Sequence, residues 1–235
     1  MNVLDYVNSH WAELGQRTLE HLYLSGVALF FAMAVALPLA LWLGHTGKGA
    51  FIAINSSNIG RALPSLGLIA IFVSLPWFGL NDISTILALV LLGIPPILTN
   101  TYTGIREVDR DVVEAARGMG LTEWQVLRQV ELPLAGPVIL AGVRTSAVQI
   151  VATATLAAVV AGGGLGRFIV DGLSVQDYPQ MLTGAIAVAA LTVLTEVALG
   201  LFERATTPRG LTVGRGQDKG PAVEPGPADS AVRLV

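Results

Sequence analysis

The chain has 235 residues, of which 53% are hydrophobic and only 13% are charged. This composition is typical of a membrane protein and excludes an ordinary soluble domain, and a net charge of -3 argues against a nucleic-acid-binding protein. Because the sequence contains no cysteine, it excludes disulfides and thiolate metal sites.

Five apolar segments are each long enough to cross about 30 Å of hydrocarbon as a helix. They cover residues 22–44, 62–80, 83–104, 137–161 and 181–202. The first three contain no Asp, Glu, Lys or Arg, and the last two contain one charge each, Arg144 and Glu196. We therefore expect an all-α polytopic membrane protein with five transmembrane helices, whose termini lie on opposite sides.

The regions that flank the predicted membrane domain, residues 22–205, differ from it in composition. Residues 1–21 are mostly polar and do not resemble a cleaved signal peptide, so we expect them to form an external segment. Residues 51–59 are semi-apolar and predict a short interfacial helix before the second span. Residues 206–235 are rich in Gly and Pro without apolar periodicity, which predicts a disordered cytoplasmic tail.

The basic residues predict the orientation, because Lys and Arg are enriched in cytoplasmic loops. If the 105–136 loop, which joins the third and fourth spans, is cytoplasmic, most basic residues share its side. These are Lys48, Arg61, Arg106, Arg110, Arg117, Arg128, Arg204, Arg209, Arg215, Lys219 and Arg233. The other side has only Arg17 and Arg167. The N-terminus is therefore predicted outside and the C-terminus inside.

Two short helices are predicted inside the 105–136 loop. Asp109 is placed to cap the first, which should run to about Arg117, with Gly118 as a left-handed terminator. Gly120 is a second position where the backbone can turn. The capping pair of Thr122 and Gln125 predicts the start of the second helix.

The second helix is expected to end near Leu132, because Pro133 disfavours helical geometry in the residue before it. On the first helix, the small Ala115 and Ala116 would let a partner approach the backbone, with Glu114 at the rim. This loop could instead be no more than a solvated helical hairpin.

The spacing of Glu114-Ala115-Ala116, Gly120 and Leu132-Pro133 resembles the EAA motif of ABC importer permeases, with Val130 where Ile is usual. Further likenesses extend the resemblance over roughly residues 22–210. They are Leu63-Pro64-Ser65-Leu66, Asn100 to Ile105, Thr153 to Ala157 and Gly162 to Gly166. Together they are most similar to permeases for glycine betaine, carnitine, choline or proline betaine, a branch of the type I importer fold. The methionine-type permeases share this core.

The resemblance implies a multi-pass permease subunit of the bacterial cytoplasmic membrane, in contact with lipid, which binds no cofactor and hydrolyses nothing itself. It implies cytoplasmic ABC ATPase subunits that hold ATP and Mg, a second permease copy or sister permease, and an external substrate-binding protein. The sequence agrees, since it has no phosphate-binding Gly-x-x-x-x-Gly-Lys-Ser/Thr loop. The residues implied in ATPase coupling are Glu114, Ala115, Ala116, Arg117, Gly120, Leu132 and Pro133.

Arg144 and Glu196 are each predicted to lie roughly 10 Å inside the membrane from its cytoplasmic side. An unpaired charge at that depth is costly, so we expect an ion pair that holds the fourth and fifth spans together. Alternatively, one of them lines the pathway, or Arg144 extends to the cytoplasmic surface.

Gly162, Gly163, Gly164 and Gly166 follow the fourth span on its external side. We expect a re-entrant bend here, followed by a short external helix over residues 167–173. A phosphate-binding role is not indicated, because no Lys-Ser/Thr follows the glycines.

Candidate pathway residues are Thr153 and Thr155, whose hydroxyls could line a water-filled path, and Trp77 and Phe78, whose rings could hold a quaternary ammonium. The two aromatic residues could equally belong to the interfacial aromatic belt, and the threonines to a helix contact rich in small residues. The three histidines, at positions 10, 21 and 45, lack metal-ligand spacing.

Three alternatives to an osmoprotectant permease remain from the residues alone. An amino-acid permease such as the methionine type would have the same core. A stand-alone secondary carrier is disfavoured by five spans without a visible repeat and by a single intramembrane carboxylate. An intramembrane enzyme is disfavoured because the sequence has no Gly-x-Ser-x-Gly or His-Glu-x-x-His pattern.

Overall fold

The computed structural model describes residues 2–51, 55, 58, 62, 64–160 and 162–206, and every regular element in these ranges is helical. We label the α-helices α1 (Val3–Thr46), α2 (Ser65–Ser74), α3 (Asp82–Arg106), α4 (Arg110–Gly118), α5 (Glu123–Val126), α6 (Leu132–Thr153), α7 (Gly166–Ser174) and α8 (Tyr178–Thr206). A π-helical turn, Leu127–Glu131, joins α5 to α6, and a 3-10 helix, Ala154–Val160, follows α6.

Four helical stretches are long and apolar enough to cross a membrane, namely Val3–Thr46, Asp82–Arg106, Glu123–Val160 and Tyr178–Thr206. They contain four of the predicted spans. At the predicted second span, α2 has ten residues and ends at Ser74. The expectation that this helix continues to residue 80 is wrong, because Pro76 favours an extended conformation in Leu75, whose ψ is 131°.

Helix α1 is longer than its predicted span, since it has 44 residues and a length of about 66 Å. It begins at a capping box in which the Asn2 side chain accepts from the Asp5 N–H, and it ends at Gly47 with a left-handed φ of 71°. Residues 3–21 of the predicted external segment are therefore helical and continuous with the first span, apart from non-helical dihedrals at His10.

Small residues bring α1 and α3 into close contact. Ala28, Ala32, Ala36 and Ala40 recur at every fourth position of α1 and are all fully buried. Because residues four apart share one helix face, they form a flat stripe that allows close backbone approach. The stripe packs against buried side chains of α3, which include Leu89, Ile97 and Leu98.

Contacts at the helix ends establish the directions of α1, α3 and α6. Gly44, near the end of α1, packs against Ile105, near the end of α3, so these two helices run parallel. His21, near the start of the predicted first span, bonds to Val151, near the end of α6, so α6 runs opposite to α1. We call the end of the bundle with Gly44 and Ile105 the basic end, and the end with His21 and Gly162–Gly166 the glycine-loop end.

Helix α8 is the least enclosed of the long helices. Only 6% of its most apolar 18-residue window is buried, and the fully buried positions are Thr183 and Gly184 near its start. Large apolar side chains such as Leu194 and Phe202 are more than half exposed. This face requires an apolar environment, which lipid or another chain can supply.

Two predicted regions outside the bundle are only partly described by the structure. Within the predicted short helix at 51–59, Phe51, Asn55 and Asn58 are helical and the remaining residues lie outside the described ranges. Of the predicted tail at 206–235, only Thr206 is described, as the last residue of α8.

Candidate functional site

The first helix of the 105–136 loop is capped as its sequence predicts. The Asp109 side chain accepts a hydrogen bond of 2.9 Å from the Asp111 N–H at the start of α4. The expectation for Gly118 is wrong, because this residue is the last of α4 and the left-handed position is Gly120, with φ at 88°. The left-handed turn comes later because the helix extends one residue beyond Arg117.

The second helix also begins as predicted but does not end as predicted. Thr122 and Gln125 form a capping box at the start of α5. Instead of ending at Leu132, the helix continues through the π-helical turn into α6, where Pro133 lies in the first turn. Pro133 directly follows the π-helical turn, so its missing N–H falls where the α-helical hydrogen-bond pattern is already interrupted. The Leu132 N–H bonds five residues back to the Leu127 carbonyl.

Arg117 fixes the angle between α4 and α5. Its Nε and Nη2 atoms donate to the two carboxylate oxygens of Glu123 at 3.0 and 2.9 Å. This two-point contact is geometrically specific. The hydrogen bond to Glu123 raises the pKa of Arg117 further above its usual value, so the guanidinium stays charged. Because both side chains are exposed, the bridge orients the helices more than it stabilises the fold.

The EAA-motif residues divide between two faces of α4. Glu114, Ala115 and Arg117 are exposed, whereas Ala116 is only 2% exposed and lies in an apolar cluster. The interpretation of Ala116 as a surface that a partner could approach is therefore wrong, because the chain's own bundle covers it. Gly120, Leu132 and Pro133 are exposed.

The buried face of the 105–136 loop packs on the membrane helices. Val113, Ala116 and Val126 from the loop share one cluster with Ile105 and Ile139 of the flanking spans. Leu37 and Leu41 of α1 pack against the same cluster. The loop therefore packs on the basic end of the bundle. A displacement of α4 would change its contacts with α1, α3 and α6.

One histidine that the sequence analysis did not single out joins this loop to α1. His45, in the last turn of α1, has its two ring nitrogens 2.6 Å from Glu131 Oε2 and 3.2 Å from Glu123 Oε2. Glu131 is 5% exposed, although it lies in a predicted polar loop. No local pattern predicts this contact, because His45 and Glu131 are separated by 86 positions.

The two intramembrane charges lie together, with a third residue that the sequence analysis did not include. Arg144 Nε is 3.6 Å from Glu196 Oε1, and Arg144 Nη1 is 3.2 Å from Glu203 Oε2. Glu196 and Glu203 are seven residues apart on α8 and so face the same way. A heptad spacing could have pointed to Glu203 as a second partner.

The glycine loop is anchored to the outer part of α1. The Gly164 N–H donates to Glu20 Oε2 at 3.0 Å, and His21 Nε2 bonds to the Val151 carbonyl at 2.8 Å. Gly164 has φ at 89°, which explains a glycine at this position. The helix that follows, α7, runs one residue longer at each end than the predicted 167–173. The Glu20 side chain also lines an open polar cavity of about 390 Å³, together with Arg17, Tyr23, Asp82 and Arg167.

The four candidate pathway residues lie in different parts of the chain's helical order. Trp77 is 87% exposed in the turn after α2, and Phe78 packs edge-on against Phe72 with ring centroids 6.1 Å apart. Thr153 ends α6, and the Thr155 hydroxyl donates to the Ala152 carbonyl at 2.8 Å.

Comparison with known proteins places this architecture among transport permeases. Residues 22–208 match the family described as binding-protein-dependent transport system inner membrane component. The chain is 39% identical over 209 residues to the glycine betaine/carnitine/choline transport system permease protein OpuCB of Bacillus subtilis, covering 89% of this chain and 95% of that protein. It is 36% identical over 197 residues to the osmoprotectant import permease protein OsmY of Salmonella typhimurium, covering 83% and 81% of the two chains.

Solved structures with the same fold come from amino-acid transporters. An inward-facing MetNI methionine ABC transporter chain superposes with a TM-score of 0.73 at 24% identity, covering 85% of this chain and 99% of that one. A chain of an amino acid ABC transporter with histidines gives a TM-score of 0.69 at 20% identity, covering 87% and 99%. At these identities the likeness establishes the fold and not the substrate.

Proposed function

The chain belongs to the family of binding-protein-dependent transport system inner membrane components, and from this premise we propose that it transports osmoprotectants. It is a multi-pass permease subunit of an ABC importer in the bacterial inner membrane, and ATP hydrolysis belongs to a separate subunit. Quaternary ammonium compounds such as glycine betaine, choline and carnitine are the proposed substrates. The observation that supports them is the 39% identity to a glycine betaine/carnitine/choline permease over nearly the whole chain.

In the proposed function, this subunit works with partners of three kinds. Two ATPase subunits hold ATP and Mg on the cytoplasmic side, and an external binding protein delivers the substrate. A second permease, either another copy or a sister chain, completes the pore. The exposed apolar face of α8 and the exposed EAA-motif residues of α4 are surfaces available for such contacts.

We further infer a fifth membrane crossing between α1 and α3, with the N-terminus outside. Helices α1 and α3 both end at the basic end, yet Asp82, the first residue of α3, shares a cavity with Glu20 at the glycine-loop end. The chain must therefore return along the bundle between residues 47 and 81. Helix α2 lies on this return path, and its Leu68 and Ile69 pack against Ala88 and Leu92 of α3.

The proposed roles of the remaining sites follow from this arrangement. Glu114, Ala115, Arg117 and Gly120 form the surface that docks in the ATPase, and the EAA motif continues at Leu132 and Pro133. Arg144 and Glu196 hold α6 and α8 together, and the glycine loop with α7 lies near the docking surface of the binding protein. Thr153, Thr155, Trp77 and Phe78 stay candidates for the pathway.

Uptake into proteoliposomes tests the substrate and the mode of transport. The permease is reconstituted with its ATPase and binding protein, and uptake of radiolabelled glycine betaine, choline, carnitine and methionine is compared. We expect ATP-dependent uptake of at least one of the quaternary ammonium compounds and none of methionine. Uptake of methionine alone would overturn the substrate assignment, whereas uptake without the ATPase would favour a secondary carrier.

Charge reversal at Glu114 tests the docking surface. Glu114→Arg is expected to lower copurification of the ATPase by at least about tenfold, because charge reversal places a cation against the groups that complement the glutamate. Glu107→Arg is the matched control, since Glu107 is an exposed glutamate of the same loop outside the motif. Equal copurification of both variants with the ATPase would contradict the assignment.

A further inference from the structure

His45 occupies an enclosed position between two carboxylates at the basic end of the bundle. Its side chain is 15% exposed, and that of Glu131, whose Oε2 atom lies 2.6 Å from His45 Nδ1, is 7% exposed. On the other edge of the ring, Nε2 lies 3.2 Å from Oε2 of the exposed Glu123. The three residues belong to three different elements, namely α1, the π-helical turn and α5.

This geometry specifies the charge on the histidine ring. An ionised carboxylate only accepts hydrogen bonds, so each ring nitrogen must donate to its own partner. A neutral imidazole has one N–H, whereas the imidazolium has two. With both carboxylates ionised, the two contacts can therefore form together only when His45 is protonated and positively charged.

The charges around the ring are of both signs. Besides Glu123 and Glu131, the charged groups at this position are Arg106 of α3 and Arg110 and Arg117 of α4, which line the same small cavity. Arg117 is itself bound to the Glu123 carboxylate through two hydrogen bonds. Glu123 thus joins Arg117 and His45, and Glu131 extends the chain of contacts into the buried side of the loop.

We propose that His45 is a positioning residue that joins the 105–136 loop to α1 in its protonated form, so that coupling between the ATPase and the membrane helices depends on pH. This inference rests on the proposed coupling role of the loop. The apolar cluster beneath the loop is non-directional, whereas the bridge from α1 to α5 and the π-helical turn fixes orientation. Movement of α4 and α5 is therefore transmitted to α1 as a displacement of its last turn.

Nitrogen NMR of the full chain in lipid nanodiscs tests the charge state directly. The sequence has three histidines, so 15N-histidine labelling gives three imidazole rings, and variants at His10 and His21 assign the remaining signals to His45. We expect both His45 nitrogens to carry protons in the unmodified chain, and Glu131→Gln to change the signal of the Nδ1 atom that faces Glu131. A single protonated nitrogen that Glu131→Gln leaves unchanged would overturn the proposal.

Two substitutions at His45 separate its two hydrogen bonds. Asparagine places an amide N–H near the position of Nδ1 and can still bond Glu131, whereas glutamine places its amide near Nε2 and leaves the buried Glu131 without that donor. Loss of a donor to a buried charge predicts that His45→Gln lowers betaine-stimulated ATP hydrolysis about tenfold, and His45→Asn less. His10→Gln, on the outer part of the same helix, is the matched control and should behave as the unmodified chain.

The pH profile distinguishes a protonated bridge from a merely structural residue. In the unmodified complex, betaine-stimulated hydrolysis should fall as pH rises, because deprotonation of the ring removes the second N–H and with it one of the two contacts. His45→Asn should remove this dependence, since an amide does not titrate. A profile that is the same in His45→Asn and in the unmodified complex would overturn the inference.

Failure of the proposed function can be told apart from failure of this inference. If the unmodified permease neither copurifies with the ATPase nor supports betaine-stimulated hydrolysis, the coupling role itself is wrong. The NMR measurement needs no partner, so it still decides whether the ring is protonated. If coupling is normal in His45→Gln and His45→Asn, the loop couples without His45 and the inference alone is wrong.

Discussion

Single residues determine how the chain turns between α4 and α5. Gly118 and Gly120 are only two positions apart, and neither would bring a side chain into contact with another atom within 4 Å. They differ in backbone conformation, because Gly120 alone has a positive φ, at 88°. The structural requirement for glycine in this turn therefore lies at position 120.

Alanine substitution at the two glycines should have opposite effects. Gly120→Ala is expected to lower the free energy of unfolding by about 1–2 kcal/mol, because a β-carbon disfavours the left-handed conformation. Gly118→Ala lies in a helix and should be neutral or slightly stabilising. Denaturant titration of the purified protein in detergent checks this order, and equal losses for both variants would contradict the assignment of the turn to Gly120.

The residue-scale predictions succeeded where the interaction is local. The caps at Asp109 and Thr122 join residues two or three positions apart, so the sequence alone specified them. The partners of His45 come from elsewhere in the chain, and Glu131 became buried only because the helix continued through the loop. A helix cap can be predicted from residues that are adjacent in the sequence. A tertiary contact cannot, because it depends on how distant elements pack together.

At the scale of elements, the contact between α6 and α8 is organised around one arginine. Arg144 lies between two carboxylates of α8, and the partner that the sequence analysis did not include, Glu203, is both closer and less exposed than Glu196. The pattern of charges inside the predicted spans could not identify it, because Glu203 lies just beyond the predicted end at residue 202. The ion pair between Arg144 and Glu203 should therefore contribute more to stability than the ion pair between Arg144 and Glu196.

Neutralising the two glutamates should reveal this inequality. Glu203→Gln is expected to destabilise the protein by about 1–3 kcal/mol, because the closer and less exposed of the two ion pairs of Arg144 is lost. Glu196→Gln, at the more exposed carboxylate, should cost less than about 1 kcal/mol. Unfolding in SDS measures both variants, and a larger loss for Glu196→Gln would show that the predicted pair is the dominant one.

Prolines explain two of the differences between the predicted and observed elements. Pro76 ended α2 earlier than its apolar run suggested, while Pro133 did not end a helix at all. The same residue type has opposite consequences because Pro133 follows the π-helical turn, where the α-helical hydrogen-bond pattern is already interrupted. Composition and hydropathy could not predict where in a helix each proline would lie, because that depends on where the preceding turn begins.

For the whole molecule, the directions of the helices favour five crossings. The long apolar helices were predictable from segment length and hydropathy, and the family resemblance from the spacing of the EAA motif. The return of the chain between α1 and α3 was predictable as an apolar segment but not as a helix of a particular length. Its path follows from the parallel arrangement of α1 and α3.

Single cysteines can test this topology, because the chain has no cysteine of its own. Trp77→Cys and Val175→Cys lie at exposed positions of the glycine-loop end, and Met119→Cys at an exposed position of the basic end. In intact spheroplasts, a membrane-impermeant maleimide should label the first two from outside and Met119→Cys only after permeabilisation. Labelling of Trp77→Cys only after permeabilisation, with Val175→Cys accessible from outside, would contradict the fifth crossing.

The π-helical turn at Leu127–Glu131 places a constraint on the length of the chain. A π-helical turn closes its hydrogen bonds over five residues instead of four, so it holds one residue more than an α-helical turn. Removing one residue here would let the turn close with α-helical hydrogen bonds, and α5 and α6 would keep nearly their present relative rotation. Adding one residue would instead rotate α5 by about 100° relative to α6, and side chains that now face α1 would point elsewhere. We therefore expect a single-residue deletion in this turn to be tolerated more readily than a single-residue insertion.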